Sequence, residues 1–381
     1  MAPTIALAPA EKVQRLAAYR EARRRGVDWL LGQMNPDGSI GDPSTGFSYY
    51  RAPWTFTVVG ETEAAAAICG FIRRHLVTPD GRIDGPYRVF DEWATYRDAT
   101  LVVGAHLAMQ YDLSLGLWPW LLALRDPASG IFATDRSPGG GTSDVLDATA
   151  GGAGCGFAAL AVGDLATARG IAGFLERLWD VQPALPDRFH VAWSRPRQAI
   201  LTVADPDFDP STMLVDNRLD APQYWFWGGI CAAFLCRLWL ADPQPGYLEL
   251  ARRYQDFSMA ATDAQFQYPG ACKGSWGSSL LWQLTGDERY EAHTYRMGDW
   301  YVDRQEPGGW WHPLVERSPG DVIEATLEFV MHLDTLIGGL SSRALGRPQS
   351  DMTGGWKPPS EASSAPASAS ATSSRQGPAT T

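Results

Sequence analysis

The stretch VDWLLGQMNPDGSIGD, residues 27–42, brings an amphipathic run to an aromatic-aliphatic end, adds a Gln, and then breaks into a Pro and a glycine turn. Proline cannot continue a helix, and glycine accepts the backbone angles of a tight turn, so the stretch reads as a helix end and a reversal. The same grammar returns near the other end as GDWYVDRQEPGGWW, residues 298–311. WLLALRDPASGIF, residues 120–132, reads as a third, degenerate copy. A unit repeated along most of a chain implies hairpins that bury a shared core no single hairpin can bury alone.

Between these turns lie two kinds of helical stretch. Residues 11–34, 164–182, 246–261 and 287–305 carry Arg, Glu and Asp with an apolar stripe, as expected of helices with one face in water. Residues 61–77, 96–112, 144–163, 223–241, 273–286 and 322–340 are apolar and small almost all round, which predicts buried helices. Residues 114–125 read as a shorter outer helix, and an outer helix is expected between 77 and 96. The pattern predicts an all-α fold, an (α/α)6 toroid of six inner and about six outer helices. Joins from inner to outer segments are short, whereas those from outer to inner segments (35–60, 127–143, 184–222 and 306–321) are long. All the long loops then share one rim, where the inner helices begin, and that rim is the expected working face.

WLLGQMNPDGSIGD and WYVDRQEPGGWW resemble the QW-type repeat of the squalene/hopene cyclase and protein prenyltransferase superfamily, in which an outer helix ends in Gln and a glycine turn leads inward. The resemblance covers most of residues 11–342 and implies the toroid fold. Ile40 stands where the family usually has Trp. The resemblance also sets out motifs that are incomplete here. The acid of class II cyclases is D-x-D-D, and the nearest stretch, DPDFDP (205–210), turns to Pro210. The prenyltransferase zinc site needs Asp, Cys and a distant His; RLDAPQYWFWGG offers Asp220, with Pro222 and Gln223 where a thiolate is required. No D-D-x-x-D run is present for a magnesium-bound pyrophosphate.

The chain has 381 residues, 45% hydrophobic and 20% charged, enough for one large repetitive domain. A net charge of −11 opposes nucleic acid and anionic membranes, so no nucleic-acid partner is expected. Five dispersed cysteines in Ala/Gly/Leu-rich runs fit buried small residues better than a disulfide framework. The charges near the N-terminus follow a weak apolar stretch, the reverse of a secretory signal, and no apolar run is long enough to span a membrane. The expectation is a cytoplasmic protein of unspecified oligomeric state, with a toroid over 1–345 and a disordered Ser/Ala/Pro-rich tail over 346–381.

If the inner-helix starts form the mouth, the polar residues of their first turns converge there: Glu61, Glu63, Tyr96, Arg97, Asp98, Asp144, Asp147, Tyr224, Lys273 and Glu324. Each acidic member doubles as a helix N-cap. As a set they imply a wet cavity, because an all-apolar helix has no use for a carboxylate in its own core. Paired carboxylates suit general acid-base work, with Asp98 and Asp144 preferred and Tyr96, Glu61 and the rim-loop His312 as further catalytic residues. Arg97 and Lys273 are the expected anion or oxyanion holders. Trp54, Tyr224, Trp225, Trp227, Trp276 and Trp311 would supply aromatic walls for a carbocation or a sugar face. His106 and His332, mid-helix, read as core residues. No histidine or cysteine spacing marks a metal, and no cofactor is expected. SPGGGTSD (137–144) reads as a lid.

The expected function is a cofactor-free cyclase or isomerase of a small, largely apolar, terpenoid-type or related specialised metabolite. The alternatives are a carbohydrate-active toroid (hydrolase, lyase or epimerase) and a non-catalytic binding scaffold. In the two enzyme readings the partner is a small-molecule substrate.

Overall fold

A computed structural model describes residues 7–44, 47–79, 81–84, 94–133, 144–313, 316 and 319–344. The tail from 346 and residues 137–143 of the expected lid lie outside the described residues. The described residues form a ring of helical hairpins. Inner helices α2 (Ala52–Val58), α4 (Ala94–Leu107), α6 (Cys155–Ala161), α9 (Phe226–Ala241), α11 (Gly274–Thr285) and α13 (Pro319–Ala344) pack side by side, and α13 closes the ring against α2. Outer helices α1 (Pro9–Leu31), α3 (Thr62–His75), α5 (Tyr111–Leu122), α7 (Leu165–Asp180), α10 (Pro245–Met259) and α12 (Glu288–Asp303) surround them. A single turn, α8 (Pro210–Met213), lies in a rim loop.

Two small antiparallel sheets decorate the long-loop rim. β1 (Val145–Asp147), β3 (Ala192–Ser194) and β4 (Ala199–Ile200) form one, and β2 (Arg188–His190) with β5 (Leu214–Asp216) forms the other. Short inner-to-outer joins and long outer-to-inner joins appear as the sequence predicts. Among the described residues no helix is long and apolar enough to cross a membrane.

Two segments depart from expectation, one being residues 144–163, which open as β1 and the π-helical turn Ala148–Gly154 before α6 begins at Cys155. Residues 61–77 were expected inside, but α3 is an outer helix that buries only Ala65, Ile68, Cys69, Phe71 and Ile72. Its alanines mask an amphipathic helix, since Glu63, Arg73 and Arg74 occupy the opposite face. The inner partner is the short α2, whose APWTFTV is too brief to show a period. The outer helix of this pair is α3, and residues 85–93 of the interval where one was expected lie outside the described residues.

Among the described residues the turn that identifies the fold occurs four times, once more than the sequence predicts. Isolated antiparallel bridges join Met34 to Ile40, Val77 to Ile83 and Arg125 to Phe132 after α1, α3 and α5. After α12, Glu306 N–H donates to Trp310 O and Gly309 N–H to Glu306 O, each at 2.8 Å. The missed copy is TPDGRI, residues 78–83. In each turn one glycine is left-handed: Gly38 (φ 89°), Gly81 (81°), Gly130 (88°) and Gly309 (98°). A Cβ on Gly38 would meet Ala67 O of α3 at 2.5 Å, and one on Gly309 would meet Arg25 O of α1 at 2.5 Å. A Cβ on Gly130 would meet Gly170 O of α7 at 3.3 Å, a tight contact, and one on Gly81 would meet Gly116 O of α5 at 3.5 Å, an ordinary one. Each turn is thus seated on the backbone of the next outer helix. The Gln of the last copy adds a tie: Gln305 Nε2 donates to Ala22 O of α1 and to Gly309 O, both at 2.8 Å.

Gly309→Ala combines a left-handed backbone with this clash, whereas Gly60, at φ 91°, has open space around its Cβ position. Gly60→Ala is expected to cost roughly 1–2 kcal/mol and Gly309→Ala clearly more, by chemical denaturation. Equal losses would remove the seating of the turn from the account.

Candidate active site

On α13, Glu324, Glu328 and His332 follow one another at intervals of four residues, so they form a single stripe along the helix. That stripe faces the centre of the ring. Arg51 at the N-cap of α2 donates from Nε to Glu324 Oε1 at 2.7 Å, and its Nη2 lies 3.5 Å from Glu328 Oε2. Lys273, at the N-cap of α11, pairs with Glu328 Oε1. Tyr50 donates its hydroxyl to Glu324 and accepts from Arg51 Nη2 at 2.9 Å. His332 Nε2 lies 3.4 Å from Glu328 Oε1.

Aromatic rings line this cluster. Arg51 lies 5.0 Å from the Tyr50 centroid and 5.8 Å from that of Tyr96, and Lys273 lies 4.2 Å from the Phe226 centroid. Trp276 stacks on Phe157 at 4.3 Å and meets the edge of Trp54 at 5.5 Å and the His332 ring at 5.3 Å.

The electrostatics follow from burial of two cations beside two carboxylates. Burial alone would raise the Glu328 carboxyl, but Arg51 and Lys273, helped by His332, hold it well below the usual range. Burial alone would discharge Lys273, yet Cys272 and Glu328 outweigh it and raise the ammonium above its normal value. Burial pushes His332 down to about 4 against the pull of Glu328, so the imidazole is neutral near pH 7. Burial likewise raises the Tyr50 hydroxyl, which stays protonated. Arg51 Nη1 and His332 Nδ1 are buried and have no partner among the described residues. A donor and a ring nitrogen left so are available to a ligand.

The structure sorts the sequence-expected residues. Tyr96, Lys273, Trp54 and Trp276 belong to the cluster, and Trp227 and Tyr224 stand beside it through Phe226, at centroid distances of 5.6 and 5.4 Å. Arg97 and Asp98 are buried in the first turn of α4. Asp144 does not join Asp98. It is 69% exposed and paired with Arg195 at 3.1 Å, so it lacks the burial that the paired-carboxylate argument requires. Glu61 and Glu63 begin an outer helix, at the opposite rim from the mouth. His312 is exposed between Glu306 and Glu316. Trp311 is a core residue that donates from Nε1 to Tyr301 O at 2.8 Å, and Trp225 is buried and stacks on Tyr268.

Tyr50, Arg51 and Glu328 went unmarked in the sequence, and His332 read as core. The available signal was Glu-x-x-x-Glu-x-x-x-His within an otherwise apolar helix, since buried charges at helical spacing require partners. Arg51 carried none, because α2 itself was unrecognised. Asp147 caps the π-helical turn Ala148–Gly154 that leads into α6, accepting from Thr149 and Ala150 N–H at 2.8 and 2.7 Å, and burial raises it to about 7.

The fold also assembles what spacing did not show. Cys272, Glu328 and His332 present ligand-type atoms within 4.8 Å of one another. These donors suit a zinc-type ion. The Lys273 ammonium lies against Glu328 and 4.0 Å from Cys272 Sγ, so it takes the place of a cation in this set.

The ring has known counterparts. A D-mannose isomerase superposes with a TM-score of 0.61 at 14% identity, covering 83% of this chain and 96% of its own. The cellobiose 2-epimerase of Spirochaeta thermophila gives 0.61 at 14% identity over 85% and 98%. The type II terpene cyclase MstE from Scytonema gives 0.55 at 14% identity over 86% and 99%. The likeness is one of fold. No protein-family profile and no curated protein matches the sequence.

Replacing Lys273 with Met or Glu328 with Gln leaves buried charge short of a partner, and each is expected to cost roughly 3–5 kcal/mol. The double variant should lose less than the sum by about 0.5–3 kcal/mol in denaturant titrations. Strict additivity would show that the two groups are not coupled.

Proposed function

We infer that the protein is an enzyme that isomerises a small, polar carbonyl compound of the sugar type by moving a proton between neighbouring carbons. The observation that carries this reading is the buried cluster itself, with two carboxylates, two fixed cations and a neutral imidazole facing one ring centre. Abstraction of a proton beside a carbonyl develops negative charge on oxygen. Buried N–H donors such as Arg51 Nη1 are the groups that stabilise it. Glu328 is the base in this reading. When a substrate oxygen draws the Lys273 ammonium or the Arg51 guanidinium toward itself, Glu328 loses part of its clamp and gains basicity. Trp54, which is half-buried, offers a face for a sugar ring. The sugar isomerase and epimerase among the structural counterparts agree with the reading as a matter of fold.

Terpenoid cyclisation is the second reading, favoured by the packed Trp54, Phe157 and Trp276. It fits less well for three reasons. Fixed cations oppose a carbocation, and Glu328 is held ionised, whereas alkene protonation needs a carboxyl that keeps its proton. The rings that would line a deep apolar cavity instead fill it: Phe157, Trp276 and Phe234 are buried against one another, and His332 is fully enclosed.

The test is incubation of the purified protein in D2O with a panel of aldoses and ketoses that includes mannose, fructose and cellobiose, followed by NMR. Deuterium is expected at the carbon beside the carbonyl, with conversion to the isomer. Absence of exchange across the panel, together with turnover of a geranylgeranyl-bearing aromatic acid, would transfer the assignment to cyclisation.

A further inference from the structure

The stripe on α13 holds two proton-handling pairs, and the reading above uses only one. Glu328 with His332 forms the first. One helical turn away, Glu324 accepts the Tyr50 hydroxyl, and Arg51 bridges the two carboxylates through Nε and Nη2. Tyr50 is a protonated acid whose oxygen is held by the Arg51 Nη2 donor at 2.9 Å, and Glu324 is a proton acceptor in direct contact with it. A phenol hydrogen-bonded to both a cation and a carboxylate can give a proton at one oxygen while its neighbour collects one at another.

We propose that Tyr50 and Glu324 form an oxygen-side proton shuttle, separate from the carbon-side transfer by Glu328, in the isomerisation inferred above. The inference rests on that reading. The step balances as follows. Glu328 takes the proton from C2, the C–H electrons become the C1=C2 bond, and the carbonyl electrons move to O1, which receives the Tyr50 proton. The resulting enediol then loses its O2 proton to Glu324, which returns it to the Tyr50 oxygen. The O2–H electrons become C2=O2, and C1 recovers the proton held by Glu328. No oxidant, reductant or co-reactant is required. Tyr50 and Glu324 are thereby catalytic residues for oxygen, and Glu328 for carbon.

The arrangement predicts a split that a structural role would not produce. Loss of the oxygen shuttle leaves an enediolate that returns to substrate more often than it advances, so exchange at C2 outlives conversion. In D2O, Tyr50→Phe is expected to lower ketose formation about 100-fold, while the ratio of C2 exchange to conversion rises at least about 10-fold. Glu324→Gln, which still accepts the Tyr50 hydroxyl but cannot carry its proton, should show the same split. It serves as the test should Tyr50→Phe fail to fold, as read from its thermal midpoint. Equal loss of both rates in a folded variant, or no change in either, overturns the shuttle while leaving the isomerase reading standing. Absence of exchange in the wild-type protein overturns both.

Discussion

The ring depends on glycine turns that let one outer helix rest on the backbone of the next. Four of the outer helices end in a turn whose left-handed glycine rests on a backbone carbonyl of the following outer helix, and the last of these turns rests on α1. That contact sets the spacing of the outer ring, and a helical hairpin bound to its neighbour at fixed spacing must present its inner member to the centre. At α7 and α10 the rim is built otherwise, with β2 and β5 paired and 3-10 turns before α11. The strictest repeats therefore flank α2 and α13, where Arg51 and the Glu324–Glu328–His332 stripe lie.

A ring closed this way makes burial of charge possible at its centre. Two carboxylates and two cations removed from water are unfavourable one at a time and tolerable together, provided the geometry supplies hydrogen bonds for the remaining lone pairs and protons. Tyr50 and His332 do so on either side of the pairs. The backing is also polar where it must be rigid: Tyr301 of α12 donates to Cys272 O at 2.6 Å, and Ser275 Oγ donates to the same carbonyl at 3.2 Å, fixing the residue before Lys273. The site is thus pre-organised from the outer wall inward.

Much of the architecture was legible because it is written in period and punctuation. Buried helices such as α4 and α9 show no polar face, and their amphipathic partners follow after short joins. What failed was α3, where a run of alanines made an outer helix look buried, and α2, too short to show any period. TPDGRI carried the correction, since a QW-type turn marks the end of an outer helix. The site was legible in kind rather than in membership. Lys273 and Tyr96 were found because they sit in first turns at the mouth. Asp144 was expected in one too, but it precedes the strand β1 rather than a helix, and solvent and Arg195 claim it. The first-turn rule locates the level of a residue along the ring axis and says nothing of its azimuth, which decides whether a side chain faces the centre.

Azimuth is recoverable from a different signal. In a helix buried all round, an ionisable residue at any position must find a partner, and the one direction in which several helices contribute partners at once is the ring centre. Glu324, Glu328 and His332 at four-residue spacing satisfy that condition along α13. Their cations come from the N-caps of two other inner helices, Arg51 on α2 and Lys273 on α11. N-terminal helix ends ordinarily favour negative charge, so two cations placed there oppose the local dipoles. Charges set against the preference of their own helices gain their stability from the carboxylates of the neighbouring α13. They are then the groups from which a polar substrate, competing for the same carboxylates and donors, can draw differential binding energy.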